Sequence, residues 1–186
     1  MKRIFDLLVS IIFIFILLIP MLLVAVAIRL SSKGSALYWS DRIGKNNSIF
    51  KMPKFRSMLV ETPSVATHLL SDPNFYLSPI GGFLRRLSLD ELPQIYSVLK
   101  GDMSFVGPRP ALYNQTELIE LRKKHNIDKL MPGITGWAQV NGRDELSISD
   151  KVLLDQEYLD RQSFWFDIKI LCITLLKVFK RDGVSH

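Results

Sequence analysis

Residues 7–28 read LLVSIIFIFILLIPMLLVAVAI, a run interrupted only by Ser10 and Pro20. As a helix it has about the length needed to cross a hydrocarbon core of roughly 30 Å. A cleaved leader is shorter and carries a small-residue cleavage site, and none is evident before Arg29. Hydropathy alone therefore favours a single span. The flanks argue the other way, because Lys2 and Arg3 precede the run while Arg29 and Lys33 follow it, and cations prefer the cytoplasmic side. Pro20, near the middle, removes one backbone hydrogen bond and crowds the preceding turn, which favours a bend. A helix that enters, bends at Pro20 and returns satisfies both flanks, and the pattern leaves spanning and re-entry open.

Outward from this run the composition fits one functional unit, with residues 1–33 as the membrane helix and 34–186 as the remainder. The chain has 186 residues, 48% of them hydrophobic, and a formal charge of +6. Such a charge suits anionic lipid, phosphorylated ligands or nucleic acid, so its sign decides nothing. The only cysteine, Cys172, lies in a Leu/Ile-rich stretch, which excludes an intrachain disulfide framework and points to a reducing compartment. Strands are expected at Ala36–Trp39 and Ser48–Lys51, and helices at Leu89–Leu99, Gln115–Lys124 and Ser149–Leu159. The fold class is α+β, mostly helical. Residues Phe164–Phe179 are apolar around most of a helix that also carries Asp167, Thr174 and Lys177, a pattern expected of an amphipathic helix lying in a membrane interface.

Ser88-Leu89-Asp90-Glu91 has the form of a capping box, with Leu92, Ile95 and Leu99 following on one face. Capping accounts for Ser88 and Glu91 but not for their company. Arg85 and Arg86 lie just upstream, and Arg109 is fixed between Pro108 and Pro110. Arginines near a helix N-terminus make a phosphate site. Two adjacent carboxylates there would repel a diphosphate unless a divalent cation bridged them, and magnesium, with its preference for oxygen ligands, suits that role. Asp90 could then serve as a nucleophile.

The blocks Leu87-Ser88-Leu89-Asp90-Glu91-Leu92-Pro93-Gln94 and Leu99-Lys100-Gly101-Asp102-Met103-Ser104-Phe105-Val106-Gly107-Pro108-Arg109-Pro110 resemble the bacterial sugar transferase family, the monotopic phosphoglycosyl transferases. The block from Pro132 to Arg143 and the start Lys2-Arg3-Ile4-Phe5-Asp6 extend the resemblance over nearly the whole chain. It implies a monotopic protein whose re-entrant helix breaks at Pro20, with both termini cytosolic at the cytoplasmic face of a bacterial membrane. It further implies transfer of a sugar 1-phosphate from a UDP-sugar, by analogy an N-acetylated hexosamine, to polyprenyl phosphate. Asp90 would be the nucleophile and Glu91 its acidic partner, both would bind Mg²⁺, and UMP would be released. Lys54, Arg85, Arg109, Asp167 and Arg143 fall where the family keeps functional polar residues. The resemblance leaves room for self-association, or for downstream glycosyltransferases as partners. The end of the chain after Arg181-Asp182-Gly183-Val184 resembles the minimal catalytic form, and the variable segment Glu61–Leu77 would line the sugar or cover the domain.

Other features read as structural. His68, His125 and His186 have no partner at metal-ligand spacing. Trp137 suits packing better than stacking on uracil, and Arg122-Lys123-Lys124 suits a solvated or lipid-facing patch. The chain lacks a Rossmann or P-loop fingerprint, and its apolar N-terminus argues against a nucleic-acid partner.

Overall fold

The computed structural model describes residues 1–63, 72–142 and 145–180. The His68, Arg143 and His186 expectations, the motif at 181–184 and part of the segment at 61–77 lie outside these residues.

The apolar run forms one helix, α1 (Lys2–Ser31), with Pro20 inside it. Most of its apolar side chains are exposed, Phe15 at 78% and Leu23 at 66% among them, so this surface needs a non-aqueous neighbour. Polar bonds tie both of its ends to the fold. At the start, Arg3 donates through Nη1 to Val98 O, and through Nη2 to Leu99 O at 2.7 Å; these are carbonyls in the last turn of α3 (Ile95–Lys100). Asp6, buried on the same side, accepts from the Phe105 amide at 3.3 Å. At the exit, Arg56 donates to Lys33 O at 2.6 Å and to the carbonyl of the C-cap Ser32 at 3.2 Å.

Strands β1 (Leu37–Ile43) and β2 (Ile49–Phe55) form an antiparallel hairpin, with Leu37 opposite Phe55 and Ile43 opposite Ile49. Both run further than expected from sequence, because Asp41, Arg42 and Lys54 are polar residues paired within the ladder. The turn uses Asn46 and Asn47 at φ 55° and 57°, a conformation asparagine tolerates. Strand β2 joins two cores. Phe50 and Met52 pack with Val98, Phe105 and Ile170, while Phe55 packs with Ile28 of α1 and Leu84 of α2 (Gly81–Arg86). Lys54 is held between them.

The expected helix at 89–99 begins differently. Leu89–Gln94 is a 3-10 helix and only then does α3 follow. Ser88 does not close a capping box: it sits in the left-handed region at φ 53°, without a side-chain cap bond. Pro93 supplies the reason. An α-helix starting at Leu89 would need the Pro93 amide to bond the Leu89 carbonyl, and proline has no N–H and crowds that carbonyl. The tighter turn avoids this, with Glu91 N bonded to Ser88 O at 3.2 Å.

Strands β3 (Ser104–Val106) and β4 (Gly133–Thr135) pair in parallel. Helices α4 (Thr116–Lys124), α5 (Trp137–Val140), α6 (Ile148–Arg161) and α7 (Phe164–Lys180) complete the mostly helical fold. Trp137 packs against Phe166 and donates to Glu157 at 2.8 Å, the structural role expected for it. Helix α7 buries Phe166, Asp167 and Ile170 and exposes Trp165, Leu175, Leu176 and Val178. Its outward face is thus apolar, like that of α1, and both suit membrane association.

Candidate active site

The 3-10 turn packs along β2 and carries both carboxylates into the fold. Glu91 meets two cations from different elements. Its Oε1 lies 3.0 Å from Lys54 Nζ on β2 and 2.8 Å from Arg109 Nη2 on the loop after β3. Asp90 is only 8% exposed, yet among the described residues it makes no hydrogen bond or ion pair. Burial raises its pKa above the ordinary carboxylate range; Glu91 pushes the same way, while Lys54, Arg85 and Arg109 pull against them. The left-handed Ser88 immediately before this turn is the kind of backbone strain that collects at functional sites.

Arg85 reaches the cluster from the last turn of α2 and is fixed by donating Nε to Ser57 Oγ at 3.1 Å. Its pKa, like that of Lys54, is lowered chiefly by burial, and both carboxylates offset that in each case. Sequence reasoning missed a fourth cation, Arg42 on β1. Burial lowers its pKa to about 10, with Arg109 adding to the fall and Glu91 opposing it. Four basic side chains thus stand around the two carboxylates, an excess of basic groups that suits a diphosphate. The signal for Arg42 was weak, being one arginine in a short strand.

The loop carrying Arg109 is built with little freedom. Gly107 lies against β4, where a Cβ would come within 2.2 Å of Met131 O, so only glycine permits the approach. Pro108 and Pro110 then fix the backbone on both sides of Arg109. We expect Arg109→Lys to weaken the binding of a diphosphate such as UDP roughly 10- to 100-fold by calorimetry, the loss of one charge-assisted fork worth about 1.5–3 kcal/mol. Free substitution by Lys would reduce Arg109 to long-range electrostatics.

Asp167 does not join this group. It is buried beneath the start of α1, where it pairs with Lys2 and accepts from Tyr158 Oη at 2.7 Å. Burial, followed by that hydrogen bond, pushes the Tyr158 pKa up. Arg122 also departs from expectation. It is not part of a solvated patch but donates through Nε and Nη2 to Asp155 Oδ2, at 3.0 and 2.6 Å, while Lys123 and Lys124 are exposed as expected. A sequence signal existed, since Asp155 falls on the buried stripe of α6 with Val152 and Tyr158. An acid there calls for a buried cation.

The donor chemistry fits magnesium. Asp90 offers an unpaired buried carboxylate beside that of Glu91, and hard oxygen ligands are what the ion takes. Among the described residues there is no cluster of three or more His, Cys, Asp or Glu able to hold a metal. An ion at Asp90 and Glu91 would thus draw its other ligands from phosphate oxygens and water.

Comparison with known sequences gives a consistent set of relatives. A family described as bacterial sugar transferase matches residues 1–181. The "uncharacterized sugar transferase EpsL" of Bacillus subtilis (strain 168) is 40% identical over 186 residues, covering 100% of this chain and 91% of that protein. The undecaprenyl-phosphate glucose phosphotransferase of Komagataeibacter xylinus is 41% identical over 199 residues, 98% of this chain and 36% of its own length. The UDP-glucose:undecaprenyl-phosphate glucose-1-phosphate transferase of Escherichia coli (strain K12) is 40% identical over 188 residues, 96% of this chain and 40% of its own. The chain therefore spans well under half the length of these two enzymes.

Proposed function

The chain belongs to the bacterial sugar transferase family, and from that premise we propose that it moves a sugar 1-phosphate from a UDP-sugar to undecaprenyl phosphate, releasing UMP. The observation that carries this reading is the buried, unpaired Asp90 beside a Glu91 already held by Lys54 and Arg109. A carboxylate stripped of water and hydrogen bonds is a stronger nucleophile than a solvated one, and the surrounding cations suit an incoming diphosphate. Asp90 Oδ attacks the sugar-linked phosphorus and forms an acyl phosphate as the bond to the bridging oxygen breaks. UMP departs with that oxygen, while Arg109, Lys54, Arg85 and Arg42 hold the phosphate charge. An oxygen of undecaprenyl phosphate then attacks the same phosphorus and frees Asp90. Mg²⁺ bound at Asp90 and Glu91 would neutralise charge on the diphosphate.

The test is UMP release by the purified protein with Mg²⁺, undecaprenyl phosphate and a panel of UDP-sugars. UDP-glucose and UDP-galactose belong in it because relatives are named for glucose and galactose, and UDP-N-acetylhexosamines because the sequence resemblance suggests them. No turnover with any of them would favour a non-catalytic membrane adaptor.

The reading places the protein at the cytoplasmic face of the bacterial membrane, with α1 re-entrant and both termini cytosolic. Support comes from the two ends of α1, which pack on the same folded unit: Arg3 and Asp6 at α3 and β3, Met21, Val24 and Ile28 against Phe55 and Leu84. A helix crossing the bilayer would carry one end away from that unit. Cysteine tags at residue 2 and after residue 186 should both resist an impermeant reagent in intact cells and label after lysis. Pro20→Leu restores a backbone bond, favours the straight span, and should expose the N-terminal tag. Labelling of the unaltered N-terminus from outside would overturn the hairpin.

A further inference from the structure

The segment that carries Arg109 is fixed by its carbonyls, since two of its residues are prolines without an N–H. Four successive carbonyls each accept one bond. Pro108 O takes the Gly133 amide at 2.9 Å, and Ala111 O takes the Ile43 amide at 2.9 Å. Between them, Arg109 O takes Arg122 Nη1 at 2.8 Å and Pro110 O takes Arg42 Nη1 at 3.2 Å. The two inner positions are thus held by guanidinium groups from two different elements, one on α4 and one on β1.

Arg122 is shaped for this task by its partner. Asp155 is 1% exposed, and its Oδ2 occupies both Nε and Nη2 of Arg122, leaving Nη1 for the Arg109 carbonyl. A buried ion pair contributes little to stability beyond what an apolar pair of the same volume would give, because both charges lose their water. An apolar pair would, however, leave the Arg109 carbonyl without its donor. We propose that Arg122 and Asp155 are positioning residues for the transfer reaction: together they fix the backbone at Arg109, so that its guanidinium stays on Glu91 and the substrate diphosphate. This rests on the phosphoglycosyl transfer proposed above. Errors of about 1 Å in a group that binds reacting phosphate cost on the order of 100-fold in rate, which is the scale on which such a clamp matters.

The experiment uses the full chain in detergent or nanodiscs and compares Arg122→Lys, the double variant Arg122→Met/Asp155→Leu, Arg109→Ala, and each of the first two combined with Arg109→Ala. UMP release, UDP affinity by calorimetry and thermal midpoint are measured for all. Arg122→Lys keeps a cation for Asp155 but cannot bond both partners in the same geometry, and the apolar pair keeps the fold without the clamp. Both are expected to lose about 10-fold or more in kcat/KM and to bind UDP more weakly, beyond what any change in thermal midpoint accounts for. Neither should lower activity further once Arg109 is alanine. Wild-type kinetics in Arg122→Lys, or losses that multiply with that of Arg109→Ala, would overturn the proposal, as would losses that follow the thermal midpoint alone. A wild-type protein that neither binds UDP nor releases UMP would instead overturn the function on which this inference rests.

Discussion

Asp90→Asn is expected to abolish sugar-phosphate transfer, lowering UMP release by about four orders of magnitude or more, as loss of a covalent nucleophile does. The wild-type protein should release a burst of UMP without a lipid acceptor, and sugar label should stay with the denatured chain. The variant should do neither. The physical motive is the separation of two anionic substrates, one water-soluble and one lipid-bound, whose simultaneous approach adds repulsion to the entropic cost of a ternary complex. Initial rates with both substrates varied should give parallel lines. Intersecting lines together with an active Asp90→Asn protein would sink the mechanism.

The same substitution should stabilise the fold. Because the folded-state pKa of Asp90 is raised, mainly by burial, its ionisation is easier in the unfolded chain. The penalty is absent below the unfolded pKa, grows as pH rises towards the folded value, and is complete above it. In metal-free buffer at pH 7.5 the Asn variant should therefore melt higher than the wild type. The advantage should shrink as pH falls towards 4. A variant both inactive and less stable would point to a structural role for Asp90.

How much of this was legible in the sequence follows from the range of each interaction. The apolar run, Asp90-Glu91 and the proline-flanked Arg109 are local patterns, and the structure brings Glu91 and Arg109 into contact. Ser88 misled because the capping-box pattern ignores Pro93 two residues beyond it, and proline chemistry overrides the cap. Arg122 misled for a different reason. Its neighbours Lys123 and Lys124 are exposed, and only a contact to Asp155, 33 positions away, separates it from them. Arg42 owes its place to the hairpin register and to the Pro110 carbonyl, and neither is encoded near it. Asp167 was expected among the substrate-binding residues, but the structure sets it apart from the carboxylate cluster and pairs it with Lys2 at the far end of the chain.

Glu91→Gln is expected to act on two cations at once, which makes it the second-largest effect. One oxygen of Glu91 holds both Lys54 and Arg109, so a neutral amide removes the charge that keeps each in place. Lys54 is affected most, because burial already lowers its pKa and Glu91 is the strongest influence opposing that fall. Without Glu91 its pKa should drop further, so the lysine holds its proton less firmly. A neutral Lys54 cannot hold phosphate charge. We therefore expect a loss of roughly 100- to 1000-fold in kcat, with a weaker dependence on Mg²⁺, as for removal of an acid-base or ligand carboxylate. The sign of the residual pH effect is diagnostic. The variant should lose less activity at lower pH than at higher pH, the direction in which Lys54 keeps its proton. Loss of activity in proportion at every pH would show that Glu91 acts without Lys54. In that case Lys54→Met in the Glu91→Gln background should cost as much as it does in the wild type, whereas coupling through the shared oxygen predicts that it costs much less.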